Sequence, residues 1–212
     1  MSKKILIADD HFVVRAGTSI ILDSYFKDIS IFYASNYINV IELLKAEIID
    51  LLILDINMPE SKYLEMIKEI KTLQNNIKIL VFSVYNEDIA IQYIMEGADG
   101  YINKLSDENK IIEAVETIFN SGFYYSPDIL LRIKNITVNK VPINPIDLLS
   151  KREKEIFDLL VEGNGNIEIS NILNIQFSTI STYKNRIFTK LKVNNIAEII
   201  KLYNYYSGSN NS

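Results

Sequence analysis

Three carboxylates, a hydroxyl and an ammonium stand where a folded chain could bring them together. Asp9 and Asp10 close the apolar run Ile5-Leu6-Ile7-Ala8, and Asp55 closes Leu51-Leu52-Ile53-Leu54. Ser83 ends a third such run, and Lys104 follows a fourth. A short apolar run bounded by a turn signal, here Ile56-Asn57-Met58-Pro59, reads as a fully buried strand of a parallel sheet. Ligands gather at the carboxyl ends of such strands. Clustered carboxylates repel one another unless a cation sits among them, and hard oxygen donors in this number suit Mg²⁺. A hydroxyl and an ammonium beside a metal are what phosphoryl oxygens need. The set therefore reads as a site where Asp55 attacks phosphorus and becomes an acyl phosphate. Singly, each aspartate could be a helix cap and Ser83 and Lys104 ordinary polar residues; their conjunction at four strand ends is what points to a site.

The elements that must position these groups alternate. Strands are expected over 5–8, 30–34, 50–54, 78–83 and 100–102, and helices over 13–25, 40–47, 63–73, 87–96 and 107–121. Five strands interleaved with five helices predict an α/β fold, a doubly wound parallel sheet with helices on both faces. Right-handed crossovers then bring all strand ends to one rim. Residues 123–147 contain Pro127, Pro142 and Pro145 and read as a linker with a possible short helix. Residues 148–206 show no strand alternation. Ser150 and Glu153 have capping-box spacing, and four helices are expected, to about 162 and over 167–173, 179–192 and 196–206. The turn between the middle two fits a helix-turn-helix. Residues 207–212 read as a polar tail.

Composition narrows the classes. The chain has 212 residues and no cysteine, and His11 is its one histidine; a disulfide framework, thiolate chemistry and a structural zinc site are not expected. No apolar run reaches the roughly 18 residues of a membrane span, and the start has no signal-peptide core, so a cytoplasmic location without membrane association is expected. Residues 1–125 hold 11 Lys/Arg against 19 Asp/Glu, whereas residues 150–212 hold 8 against 6. That asymmetry hints that the second region meets a polyanion. In the helix at 179–192, Ile180, Ile187 and Leu191 share a core face. Ser181, Thr182, Asn185, Thr189 and Lys192, flanked by Lys184 and Arg186, make a stripe able to meet base edges and phosphates.

Residues 1–122 resemble a response-regulator receiver domain, on Asp9-Asp10-His11, Asp55-x-x-Met58-Pro59, Ser83 and Gly97-Ala98-Asp99-Gly100-Tyr101-Ile102-x-Lys104. The resemblance implies a flavodoxin-like five-stranded receiver with Asp55 as phosphoacceptor. It implies that Asp10, Asp55 and the backbone carbonyl of Asn57 ligate Mg²⁺, with Asp9 nearby or acting through water. Ser83 would follow the phosphoryl group, Lys104 would pair with it, and Tyr101 would be the coupled switch aromatic. Three positions depart from the family pattern: Val84 and Tyr85 after the switch hydroxyl, where they would crowd the site's mouth, and Glu60 where a glycine usually follows the Met-Pro pair.

Residues 149–206 resemble the LuxR-type output domain of the NarL/FixJ family, on Leu149-Ser150-x-Arg152-Glu153-x-Glu155-Ile156, Ile167-Glu168-Ile169, Thr179-Ile180-Ser181-Thr182-Tyr183-Lys184 and Lys190-Leu191-x-Val193. This small all-α domain would lay its recognition helix in the major groove. Thr179, Ser181, Thr182, Lys184, Asn185, Arg186 and Lys190 are the expected DNA contacts, and Ile196, Ile199, Ile200 and Tyr203 the expected dimer contacts. The whole then reads as a transcription regulator rather than an enzyme. A sensor histidine kinase or a small phosphodonor modifies Asp55, a homodimer is favoured, and paired half-sites on double-stranded DNA are bound. Two other readings stay open at this point. One is a phosphorylation-independent scaffold. The other is an aspartyl-phosphate hydrolase, for which Asn57 would have to be a general acid and cannot be.

Overall fold

The computed structural model describes residues 2–84, 87–140 and 142–208. The chain divides into two compact units, Met1–Asn139 and Lys140–Ser212. Tyr85, expected at the mouth of the acidic site, lies outside the described residues, as do residues 209–212 of the tail.

The first unit carries β1 (Lys3–Ala8), β2 (Ile29–Ala34), β3 (Leu51–Leu54), β4 (Lys78–Ser83) and β5 (Gly100–Asn103). They alternate with α1 (Phe12–Tyr25), α2 (Tyr37–Ala46), α3 (Glu65–Leu73), α4 (Glu87–Met95) and α5 (Glu108–Ser121). The sheet order is β2-β1-β3-β4-β5, with every pairing parallel. This is the expected doubly wound, flavodoxin-like arrangement, in which the strand order reverses between β1 and β3. Residues 5–8 of β1 and the whole of β3 are apolar because helices cover both faces: Ile5, Leu6, Ile7, Leu51, Leu52 and Leu54 are fully buried. Ala8 pairs with Leu54, so Asp9 and Asp55 leave neighbouring strands at the same level, at the switch point.

Helix boundaries differ from expectation where side chains and backbone signs intervene. The helix α2 begins at Tyr37 rather than at 40, because the Asn36 side chain accepts the Asn39 N–H. The helix α3 begins at Glu65 rather than 63, because Tyr63 has φ +49° and cannot be helical. The linker region contains α6 (Pro127–Thr137), capped by Ser126 and led by Pro127. Ile129 of α6 is 1% exposed, and the helix packs beside α4 within the first unit.

The second unit opens with a 3-10 turn, Pro145–Leu148, capped by the Asn144 side chain. Then come α7 (Lys151–Val161), α8 (Asn166–Leu173), α9 (Phe177–Leu191) and α10 (Ile196–Gly208). Ser150 and Glu153 form a full capping box on α7, as their spacing predicts. The α8–α9 turn is made by Asn174 in the left-handed region, and α9 starts two residues before the expected position. Ile156, Phe157, Leu160, Ile169, Ile180, Ile187 and Ile199 form the core. The expectation of four helices around a helix-turn-helix holds.

Candidate functional site

Backbone register builds the acidic rim. The Asp55 N–H donates to the Ala8 carbonyl at 2.8 Å, and the Asp9 N–H to that of Ala34 at 3.1 Å. These bonds extend the ladder one residue past each strand and fix both aspartates in line. Asp9 is 1% and Asp55 3% exposed, whereas Asp10 faces solvent. On the other side of β3, Ser83 ends β4 fully buried, and the Lys104 N–H donates to the Ser83 carbonyl.

The Lys104 side chain reaches back across this rim. Its Nζ donates to Asp55 Oδ2 at 2.7 Å and lies 2.6 Å from Asp9 Oδ2. Burial lowers the ammonium's pKa, but the Asp55 and Asp9 carboxylates outweigh it and hold the value above the ordinary lysine range. Lys104 is thus a fixed cation between two buried anions. Asp55 Oδ1 accepts the Asn57 N–H at 3.0 Å. Asp9 Oδ1 accepts the His11 N–H at 2.8 Å, and His11 Nδ1 lies 2.7 Å from Asp10 Oδ1. The contact from Lys104 to Asp9 Oδ2 is a close charge contact outside hydrogen-bond geometry, so this buried oxygen keeps unused acceptor capacity. Ligand atoms of Asp9, Asp10, His11 and Asp55 lie within 4.8 Å of one another, and the carboxylates are a hard-oxygen donor set suited to a divalent cation. The sequence places His11 in one motif with Asp9 and Asp10 but gives it no role as a ligand; its direct succession to them is the signal.

Tyr101 is 5% exposed, and its hydroxyl points toward the Ser83 carbonyl at 3.5 Å. The ring therefore lies inward, against the strand that carries the candidate switch hydroxyl. It also borders a hollow of about 670 Å³ lined by Ile102, Lys110, Tyr124, Pro127 and Ile129 among others. Val84, expected to crowd the site, is 60% exposed.

In the second unit, α9 presents Thr182, Asn185 and Arg186 to solvent, with Thr179, Ser181 and Lys184 half-buried. The Ser181 and Thr182 hydroxyls donate back to the Phe177 and Ser178 carbonyls, the common mid-helix arrangement. Lys184 lies over the Phe188 ring and Arg186 over that of Tyr183, so their stems are braced. Lys190 differs from expectation: its ammonium donates to Glu153 at 2.7 Å and to the Leu148 carbonyl at 3.3 Å. Of the expected dimer contacts, Ile199 is fully buried in the unit's own core and cannot meet a partner. The rotation of α10 sets this, because the helix packs against α7 with Ile199 in the core. Ile196, Ile200 and Tyr203 are half-buried. Sequence reading missed the interior role of Glu153, treating it only as a cap. It also missed Arg152, whose guanidinium spans Glu155 and the Leu173 carbonyl at the end of α8.

Among the described residues, no helix is long and apolar enough to cross a membrane. Residues 5–116 match the response regulator receiver domain, and residues 147–203 match the bacterial regulatory proteins of the luxR family. The chain is 31% identical over 205 residues to the Fimbriae Z protein of Escherichia coli K12, covering 94% of this chain and 96% of that one. It is 32% identical over 208 residues to the oxygen regulatory protein NreC of Staphylococcus epidermidis, covering 93% and 95%. Among solved structures it is similar to RcsB of Salmonella enterica serovar Typhimurium, bound to promoter P1flhDC in the presence of the phosphomimetic BeF₃⁻. That likeness has a TM-score of 0.70 and 25% identity over 98% of this chain and 99% of that one. An RcsB–DNA complex aligns with a TM-score of 0.74 and 26% identity, over 98% and 99%.

Proposed function

This chain belongs to the response-regulator family, and on that premise we propose that Asp55 is its phosphoacceptor and α9 its DNA-reading helix. A receiver domain joined to a luxR-type DNA-binding domain makes the chain a transcription regulator under phosphorylation control. The observation that carries the Asp55 assignment is the Lys104 ammonium held between Asp55 and Asp9. A cation already seated at the carboxylate is placed to take charge from an incoming phosphoryl group without moving far.

The donor is a histidine kinase's phosphoimidazole, or a small phosphodonor. An Asp55 oxygen forms the new bond to phosphorus as the donor's bond to phosphorus breaks, and the donor leaves with the electron pair and takes up a proton. The buried, underused Asp9 oxygen and the Asp9–Asp10–Asp55 group fit a divalent cation. Asp10, Asp55 and the Asn57 carbonyl would hold Mg²⁺, with Asp9 beside it. Mg²⁺ would supply charge neutralisation to the transferring phosphoryl group. Lys104 then pairs with a phosphoryl oxygen, and the Ser83 hydroxyl donates to another. The Tyr101 hydroxyl faces the Ser83 carbonyl, so a shift of Ser83 repositions the buried ring and, with it, the surface around α4 and β5. That surface change favours a homodimer.

RcsB, the structural relative above, was solved on promoter DNA with a phosphate mimic; by analogy, this chain in its activated, dimeric form binds paired half-sites from the cytoplasm. Thr179, Ser181, Thr182, Lys184, Asn185 and Arg186 face the groove and its phosphates, and Ile196, Ile200 and Tyr203 of α10 serve the pairing. The test compares wild type with Asp55→Asn, with and without beryllofluoride and Mg²⁺. Wild type gains dimer mass and DNA affinity on adding the mimic, whereas the variant gains neither. An Asp55→Asn variant that responds fully overturns the assignment.

A further inference from the structure

Lys190 stands on the last turn of α9, one turn beyond Arg186 and to the side of the stripe of Ser181, Thr182, Asn185 and Thr189; its side chain is 41% exposed, yet its ammonium bonds within the unit. Its Nζ donates to Glu153 Oε2 at 2.7 Å and to the Leu148 carbonyl at 3.3 Å. Glu153 is 3% exposed, and the same Oε2 accepts the Ser150 N–H at 2.8 Å. The Lys190–Glu153 pair therefore joins three elements: the carboxylate holds the cap of α7 and the far end of α9, and the ammonium also holds the 3-10 turn before α7. A charge pair with one partner this buried holds a defined geometry, because leaving the carboxylate alone there is costly.

We propose that Lys190 is not a phosphate contact but a positioning residue, which acts through Glu153 to set the tilt of the recognition helix. This rests on the reading of α9 as the DNA-reading helix. The groups expected to meet bases, Thr182 and Asn185, lie five to eight residues from Lys190, roughly 7–12 Å along the axis. Over about 10 Å, a tilt of roughly 6° displaces a side chain by about 1 Å, enough to take a base-edge hydrogen bond out of range. Ile180, Ile187 and Leu191 seat α9 in the core along one face, and the ion pair adds a fixed polar contact to one side of its last turn. Losing the pair loosens the tilt about that apolar seat while the phosphate-facing Lys184 and Arg186 keep their charges.

Direct contact and positioning leave different marks in salt. Each neutralised phosphate adds about 0.9 to the slope of log affinity against log salt, whatever the sequence. The experiment uses the full chain with beryllofluoride and Mg²⁺. Its two probes are a duplex selected by the wild-type chain from a random pool and a random-sequence duplex of equal length, each titrated across potassium chloride concentrations. For Lys190→Met, affinity for the selected duplex falls about tenfold, affinity for the random duplex is unchanged, and both slopes stay at the wild-type value. Glu153→Gln gives the same pattern, the double variant is no worse than either single one, and Lys190→Arg restores selectivity. Should Lys190→Met fail to fold, the neutral pair Glu153→Gln/Lys190→Gln, which strands no buried charge, is read the same way. A slope reduced by about one contact on both duplexes, with Glu153→Gln without effect, overturns the proposal and leaves the reading of α9 standing. A wild-type chain that selects no duplex overturns both.

Discussion

Lys104 Nζ sits 2.7 Å from Asp55 Oδ2, with the lysine side chain 11% and the aspartate side chain 4% exposed. The candidate phosphoacceptor is therefore counter-charged from within the fold, by a residue 49 positions away on the end of β5. The arrangement has a consequence for stability as well as for chemistry. Lys104→Met keeps the stem's bulk but leaves Asp55 and Asp9 facing each other with no fixed cation. Removing one partner of a buried pair costs about 3 kcal/mol, so urea unfolding in a chelator should show a loss of that order. Mg²⁺ binding to the folded form should then recover part of it in proportion to ligand concentration. The same loss with and without Mg²⁺ would count against a cation site among these carboxylates.

The loop after β3 carries a cost of its own. Glu60 follows Met58-Pro59 and has φ +59°, a left-handed conformation that costs a residue with a Cβ roughly 1–2 kcal/mol. This accounts for the glycine that the family pattern favours there. Glu60→Gly should stabilise the chain by about 1 kcal/mol, read as a raised urea midpoint at constant slope. A destabilised variant would mean that the Glu60 side chain contributes more than its backbone loses.

Gly100 illustrates a different constraint within the same motif. An added Cβ there would stand 3.0 Å from the Tyr124 carbonyl oxygen and 3.0 Å from Leu80 Cδ1. Tyr124 bridges to this residue beyond β5, so the close approach comes from the segment entering α6. Gly100→Ala should cost about 1–3 kcal/mol through overpacking. Because backbone as well as side chains is in the way, the Tyr124 amide should also lose hydrogen-exchange protection. Unchanged stability and exchange would refute the steric account.

The rim of the first unit is legible in the sequence because it depends on local signals. Apolar runs end in Asp9, Asp55 and Ser83, and alternation with helices forces a parallel sheet whose strand ends share one edge. What local pattern does not carry is pairing across distance. Glu153 and Lys190 are 37 residues apart, and although the periodicity of α9 sets Lys190 to the side of the polar stripe, it names no partner for it. Ile199 fails for a related reason: α10 is apolar on more than one side, so its inward face is fixed only once α7 is in place. The boundary of α3 turns on a positive φ at Tyr63, which a tyrosine does not advertise.

Glu153 offers a test by acid. The Lys190 hydrogen bond lowers its pKa against the opposing pull of burial, with help from the Ser150 N–H and hydroxyl, from 4.5 to about 2. A carboxyl whose folded value lies below its unfolded value contributes stability that is fully present above the unfolded value. That stability is lost as the folded group takes up its proton. The contribution should therefore be intact above about pH 4.5 and drain away between about 4.5 and 2, with one proton's worth of slope. Methyl NMR of Ile187 and Ile199, both in the core of the second unit, can follow its thermal unfolding across that range. Wild type should lose stability steeply there, while Glu153→Gln starts lower at neutral pH and lacks this part of the slope. A variant whose pH dependence parallels wild type throughout would show that the Lys190–Glu153 pair does not act as a charge pair in solution.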